Sequence, residues 1–332
     1  MKPKIVLVGV GKFGKNHLRV LKELEKDGLC TLYGVVDKRV EILESVRRDY
    51  NVATTSNLAE FLKSDIDAVD IVTPADTHFE VCQECLAAGK HVFVEKPLAT
   101  KYADARKLVH FAADKDRILM VGLIYRYNPA VKKIKELIDR GKLGKIYYMY
   151  GHYMGFKDPR VEVGALLNFA VHHIDIYDYL LEELPEEATC STAHFLGREK
   201  LEDLAVLILR YGNGAVGIIE NSWLPPGNYR DLTIIGSEKS VTSDLSKQTV
   251  ILHDIHMEKI SGTIKAIDEG QLPLDVKFEE PLKLELKDFI ECIKTERKPI
   301  ADAEVASRTV MIAEKALESA HLKRSVKIYE SK

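Results

Sequence analysis

The sequence predicts a two-domain protein: a doubly wound parallel α/β domain, followed by an α+β domain with a mostly antiparallel sheet. Strand-like and helix-like segments alternate through the N-terminal third of the chain. The strand-like segments there are continuous apolar runs, as expected when helices cover both faces of a parallel sheet. After Leu204 the pattern changes to closely spaced strand-like runs separated by turn signals such as G-N-G, P-P-G-N and G-S-E-K, the mark of an antiparallel sheet.

K-I-V-L-V-G-V at residues 4–10 reads as a buried strand, and Leu18, Leu21 and Leu24 place a helix over residues 12–27. Leu32–Val36 is a second strand ending at Asp37, followed by a helix to about Tyr50, V-A-T-T, and a short helix at 58–63. Strands at 68–72, 91–94 and 118–121 alternate with helices at 77–88 and 100–115. Helices at 129–140 and 164–181 open the second domain, five strand-like runs lie between 204 and 253, and helices at 282–295 and 302–321 close the chain. The expected division is 1–122 and 123–332.

The 332 residues carry a net charge of −3, with 46% apolar and 30% charged residues, which gives no global attraction to nucleic acid or membrane. No apolar run reaches the roughly 18–20 residues of a membrane span. The basic-then-apolar N-terminus stops at a glycine turn and reads as a strand rather than a leader, so a cytoplasmic location is expected. Five scattered cysteines do not form a disulfide framework, and Cys82-x-x-Cys85 lies in a helix interior. No metal is expected: adjacent His172 and His173 diverge on a helix, and H-D-I-H at 253–256 lacks a clear third ligand.

G-V-G-K-F-G, Gly9 to Gly14, follows a strand, opens a helix, and is followed by Asp37 at the end of the second strand. That is the full context of a Rossmann dinucleotide site. Gly9 and Gly11 permit a tight turn and close approach of the pyrophosphate, with Lys12 and Phe13 in the same loop, and Gly14 permits close helix packing. The helix N-terminus favours phosphate. Asp37 suits the ribose hydroxyls of NAD, whereas Lys38 and Arg39 leave NADP open. T-P-A-D-T-H places Thr73, Pro74 and His78 at the ligand edge of the sheet, with Thr77 also readable as an N-cap. In V-E-K-P-L-A, Glu95 and Lys96 reach the same edge, and Pro97 stiffens the turn. Lys96 suits either a substrate hydroxyl or a structural pair with Glu95. In G-A-L-L-N-F-A-V-H-H-I-D, the positions of Asn168, His172 and Asp175 give one helix face a polar row that needs partners.

These motifs, with R-Y-N-P at 126–129, resemble the glucose–fructose oxidoreductase / inositol dehydrogenase (Gfo/Idh/MocA) family over nearly the whole chain. The resemblance implies a Rossmann domain plus an open-faced-sheet domain that often forms dimers or tetramers. It implies that Lys96 contacts the reacting oxygen and that His172 is the general acid/base. It also places Arg126, Tyr127, Arg160, Asn168 and His172 at the substrate. Polyol and inositol dehydrogenases of the family typically carry an aspartate where this chain has Asn168, so a Lys-Asp-His proton relay is not expected. That departure, and the segment bearing Trp223 and Arg230, resemble members that oxidise the 3-hydroxyl of UDP-linked amino sugars; Lys157 and Arg160, in G-F-K-D-P-R, read either as partners of a diphosphate or as solvated loop residues. The expected substrate is therefore a nucleotide-linked amino sugar, with a free sugar, inositol or polyol as the alternative. A non-catalytic NAD(P)- or sugar-sensing regulator is the alternative of another class.

Overall fold

The computed structural model describes residues 2–198 and 200–329. The chain forms two compact units. Among the described residues, the first comprises 2–124 and 280–310, and the second 125–198, 200–279 and 311–329.

The first unit is built on a six-stranded, all-parallel sheet in the order β3-β2-β1-β4-β5-β6. Its strands are β1 (Lys4–Val8), β2 (Thr31–Val36), β3 (Ala53–Thr55), β4 (Ala68–Ile71), β5 (His91–Val94) and β6 (Leu119–Val121). The helices between them are α1 (Gly14–Lys26), α2 (Val40–Tyr50), α3 (Leu58–Leu62), α4 (His78–Ala87) and α5 (Tyr102–Asp114). The order reverses between β1 and β4, the switch point beside which doubly wound sheets bind ligands. Cys82 and Cys85 are fully buried free thiols inside α4, raised by burial above the ordinary thiol range.

Helix α8 (Pro281–Thr295), far beyond residue 122 in the chain, belongs to the first unit. The physical reason is its apolar face: Leu282, Leu286 and Phe289 are buried, and Phe289 meets the Phe93 ring of β5 at 5.7 Å. Arg19 of α1 pairs with Glu280, and Lys283 lies 3.3 Å from Glu23 and 3.2 Å from Asp27. Beyond α8, the Val121 N–H donates to Ala301 O at 2.9 Å. Helix α9 (Ala303–Leu322) then runs from the first unit into the second.

The second unit carries a nine-stranded sheet in the order β14-β13-β12-β11-β7-β10-β9-β8-β15. Its strands are β7 (Ile146–Gly155), β8 (Glu187–Ala193), β9 (Leu204–Arg210), β10 (Val216–Ser222), β11 (Asn228–Gly236), β12 (Ser240–Asp244), β13 (Thr249–Ile260), β14 (Thr263–Leu274) and β15 (Val326–Lys327). All pairings are antiparallel except the central β7–β10 pair. Helix α6 (Pro129–Asp139) starts with Pro129 in its first turn and Asn128 as its cap, the Asn128 Oδ1 accepting from Ala130 N–H at 2.9 Å.

The expected single helix over 164–181 is a π-helical turn, Leu166–Ala170, continued by α7 (Val171–Leu181). Two strand glycines let α7 settle onto the sheet. A Cβ on Gly151 would overlap the His173 ring, and one on Gly217 would lie 2.7 Å from the Tyr177 ring. The Tyr177 hydroxyl donates to Ile218 O at 2.8 Å. No described helix is long and apolar enough to cross a membrane.

Candidate active site

In the first unit the glycine loop runs from β1 into α1. Gly9 has φ +94°, and a Cβ there would come within 2.5 Å of Val72 O. A Cβ on Gly14 would overlap Gly9 O, so this glycine closes the helix onto the loop. Gly11 differs: a Cβ there would meet nothing within 4 Å. The protein's own packing does not require a glycine at 11, but close approach of a pyrophosphate does. Lys12 and Phe13 are exposed beside it.

Asp37 closes this half-site. Its carboxylate accepts from Val10 N–H at 2.8 Å, from Arg39 Nε at 2.9 Å and from Arg39 Nη2 at 2.8 Å. Burial raises its pKa, but Arg39 and the backbone donors outweigh that and bring it to about 2, so Asp37 is ionised. The loop glycines, the helix N-terminus and this carboxylate fit a dinucleotide. Arg39, an alternative partner for a 2′-phosphate, is engaged by Asp37, while Lys38 is exposed.

Thr73 and exposed Pro74 follow β4. Thr77 precedes α4, but its side chain makes no capping bond. Its hydroxyl lies 2.7 Å from both Thr73 Oγ1 and Pro74 O instead. His78 is enclosed, with Nδ1 2.7 Å from Pro97 O and Nε2 3.0 Å from Thr73 O. It ties the loop after β4 to the loop after β5. Lys96 is half-buried after β5, and the Lys96–Pro97 peptide is cis. Glu95 turns inward, with Oε1 3.3 Å from His17 Nε2, and His17 Nδ1 lies 2.9 Å from Asp70 Oδ2.

In the second unit His172 and Asn168 are both buried, at the junction of the π turn and α7. The Tyr153 ring stacks on His172 at 4.8 Å and 17°, and the Tyr125 ring meets it edge-on at 5.2 Å. Tyr153 also stacks on Phe169 at 5.1 Å, and Phe169 packs on Trp223 at 4.4 Å. Cations border this aromatic group. The Arg230 guanidinium sits 3.6 Å from the Tyr153 ring centre, and Lys157 Nζ 4.1 Å from that of Phe169.

Several expected site residues lie elsewhere. Arg126 is 6% exposed, with Nε 2.7 Å from Asp175 and Nη2 2.9 Å from Asp178. Burying the guanidinium requires such partners. Asp175 finds its partner there and leaves the polar row expected with Asn168 and His172. Tyr127 is 2% exposed, under the Lys132 ammonium. Arg160 is exposed, 3.5 Å from Glu162. His173 is a structural histidine: its Nε2 faces Asp231 O at 2.8 Å, and burial lowers its pKa to about 4.

The sequence reading missed His17, Asp70, Tyr125 and Tyr153. A signal existed for two of them. Asp70 interrupts an otherwise apolar buried strand, A-V-D-I, and His17 joins Leu18, Leu21 and Leu24 on the buried side of α1. A charged group in such a place needs a buried partner. Tyr153 gave no signal, because β7 itself was not recognised.

A glycine-loop nucleotide unit ending in an ionised aspartate, joined to a unit with a buried histidine under aromatic rings, defines the class of NAD-dependent oxidoreductases. Family models place the chain within it. The model of the oxidoreductase family, NAD-binding Rossmann fold, matches residues 3–123, and that of the family's C-terminal α/β domain matches residues 135–328. The chain belongs to this Gfo/Idh/MocA family, and it is an NAD-dependent dehydrogenase acting on CH–OH groups. It is 28% identical to a myo-inositol 2-dehydrogenase of Thermotoga maritima, covering 98% of this chain and 99% of that one. It is 25% identical to a UDP-N-acetylglucosamine 3-dehydrogenase of Acidithiobacillus ferrooxidans, covering 92% and 93%. A levoglucosan dehydrogenase structure, in complex with NADH and levoglucosan, matches in fold with TM-score 0.87 at 23% identity over 99% and 100% of the two chains.

Proposed function

We propose that this protein oxidises a secondary hydroxyl of a sugar or cyclic polyol, with His172 taking the hydroxyl proton and Lys96 at the reacting oxygen. The observation that carries this reading is a buried imidazole held between Tyr153 and Tyr125, on the helix where the family resemblance places its acid/base. NAD, when bound, supplies the hydride acceptor. The chain's own residues supply the rest. Lys96 donates to the substrate oxygen, and His172 removes the hydroxyl proton as the C=O bond forms. Asn168 orients a hydroxyl but cannot accept its proton.

Within that class we favour a substrate bearing an anionic group, such as a UDP-linked amino sugar. Asn168 in place of an aspartate, and the Arg230 and Lys157 cations around the Tyr153–Phe169 rings, support it. Trp223, at 1% exposure, offers no open face for a base and does not contribute. A second reading, a free inositol or sugar, is favoured by the full-length relationship to a myo-inositol 2-dehydrogenase.

The deciding experiment offers NAD with UDP-N-acetylhexosamines, their uronic acids, free hexoses and inositols in turn, and follows NADH fluorescence. Turnover of UDP-sugars alone supports the first reading, and turnover of neutral inositols selects the second. Lys96→Met is expected to cut kcat by at least about a thousandfold while NAD affinity stays within about threefold. Full activity in that variant would falsify the Lys96 assignment. His172→Ala should lose a comparable factor, and part of it should return with added imidazole. A homo-oligomer is also inferred, supported by exposed Tyr147, Met257, Ile264 and Leu272 on the sheet strands; light scattering of the purified protein tests it.

A further inference from the structure

The reaction as derived leaves one buried charged cluster of the first unit without a role. His17, Asp70 and Glu95 come from three elements: α1, β4 and the end of β5. The side chains of His17 and Asp70 are fully buried and that of Glu95 is 12% exposed. His17 Nδ1 is 2.9 Å from Asp70 Oδ2. The Nε2 to Glu95 Oε1 distance is 3.3 Å, an ion pair rather than an aligned hydrogen bond. Phe13 and Phe93 flank the imidazole, with ring centres 5.2 and 5.8 Å away. Gly122 lies against the same carboxylate, where a Cβ would fall 2.5 Å from Oε1. The other carboxylate oxygen, Oε2, accepts from the N–H of Lys96 at 3.2 Å.

Packing alone does not account for this arrangement. Leaving carboxylates in a dry interior is costly unless a cation faces them. A leucine-lined interior would be cheaper, so the charges must serve some other end. What they join is specific. His17 stands three residues beyond Gly14, in the helix whose N-terminus forms the cofactor loop. Glu95 precedes Lys96 and holds its backbone.

We propose that His17 is a positioning residue: as an imidazolium clamped between Asp70 and Glu95, it orients Glu95 and thereby sets the Lys96 backbone in register with the glycine loop. Burial lowers the basicity of the imidazole, but the two facing carboxylates outweigh it and raise its pKa to about 10. The titratable groups facing the ring are Asp70 from β4 and Glu95 from the end of β5. Phe13 and Phe93 lie beside the ring. The proposal rests on Lys96 acting at the reacting oxygen, a reading that Lys96→Met tests separately.

The experiment has two arms. In the first, Glu95→Gln and the uncharged triple variant His17→Gln/Asp70→Asn/Glu95→Gln are compared with the natural chain. Lys96 acylation by an activated acetyl ester is measured on free protein by mass spectrometry, with exposed Lys12 as internal control. The expected result is a change of at least about threefold in Lys96 acylation, a fall in kcat of at least about tenfold, and NAD affinity within about threefold. A variant that folds with unchanged Lys96 acylation and unchanged kcat overturns the proposal. A merely structural cluster would lower the melting temperature without moving the Lys96 rate. The second arm needs no variant. Ring-nitrogen NMR of 15N-histidine protein should show both His17 nitrogens protonated at pH 8, and a His17 that is neutral there also overturns the proposal. If Lys96→Met keeps full turnover, acylation and ring-nitrogen state still judge the cluster by themselves.

Discussion

At the scale of the residue, similar side chains have been put to opposite uses by their partners. Asp37 is held ionised, with Arg39 on it and a backbone N–H of the glycine loop beside it. Asp37→Ser removes the ribose acceptor and releases Arg39. KM for NAD should rise by about tenfold or more and the ratio of NADP to NAD use should increase, measured as kcat/KM for each cofactor. Arg126 illustrates a different case, a motif residue whose guanidinium faces two buried aspartates. Arg126→Met removes the guanidinium that faces Asp175 and Asp178, which should destabilise the fold by about 3–5 kcal/mol in urea unfolding. NAD affinity of the protein that remains folded should not move. An arginine in R-Y-N-P reads equally well as a ligand or an anchor, because its sequence neighbours do not include the two aspartates that decide the matter.

At the scale of the element, the glycine loop separates constraint by the fold from constraint by the ligand. Gly14→Ala forces a Cβ onto Gly9 O, so it should lower both the melting temperature and NAD affinity. Gly11→Ala meets nothing. Its melting temperature should stay within about 1 °C while NAD affinity falls by about tenfold or more. A thermal shift with and without NAD distinguishes the two. The helix carrying Asn168 and His172 shows what periodicity cannot reveal. The residue pattern gave no reason to expect a π turn over Leu166–Ala170, yet that turn alters which side chains share a face before α7 begins.

At the scale of the whole molecule, two buried histidines set opposite slopes on stability against pH. Burial holds His173 neutral, with a folded-state pKa of about 4 against 6.5 unfolded. The unfolded chain therefore binds more protons below pH 6.5. Stability falls by up to about 3 kcal/mol as pH drops from 6.5 through 4. His17 has the raised value, about 10. Its contribution is complete below pH 6.5 and is lost as pH rises through 10. The melting temperature should peak near pH 6.5–7 and decline on both sides, and His173→Asn should flatten the acid limb. A profile that is flat from pH 5 to 9 would contradict both assignments.

The sequence by itself determined the doubly wound unit and its cofactor loop. Continuous apolar strands, amphipathic helices and G-V-G-K-F-G followed by Asp37 are local patterns, and the physics that shapes them acts within a few residues. The placement of α8 in the first unit, the strands β7, β8 and β14, and the surroundings of His17, Arg126 and Tyr153 were decided only by the tertiary structure. Strand β7, I-Y-Y-M-Y-G-H-Y-M-G, is polar and aromatic with an irregular order of buried and exposed residues, so no simple alternation marks it. Residues 280–310 join the first unit because the apolar face of α8 finds α1 and Phe93 there, partners more than 180 residues away. Burial and ion pairing of this kind depend on residues distant in the chain, and their partners are named only once the chain has folded.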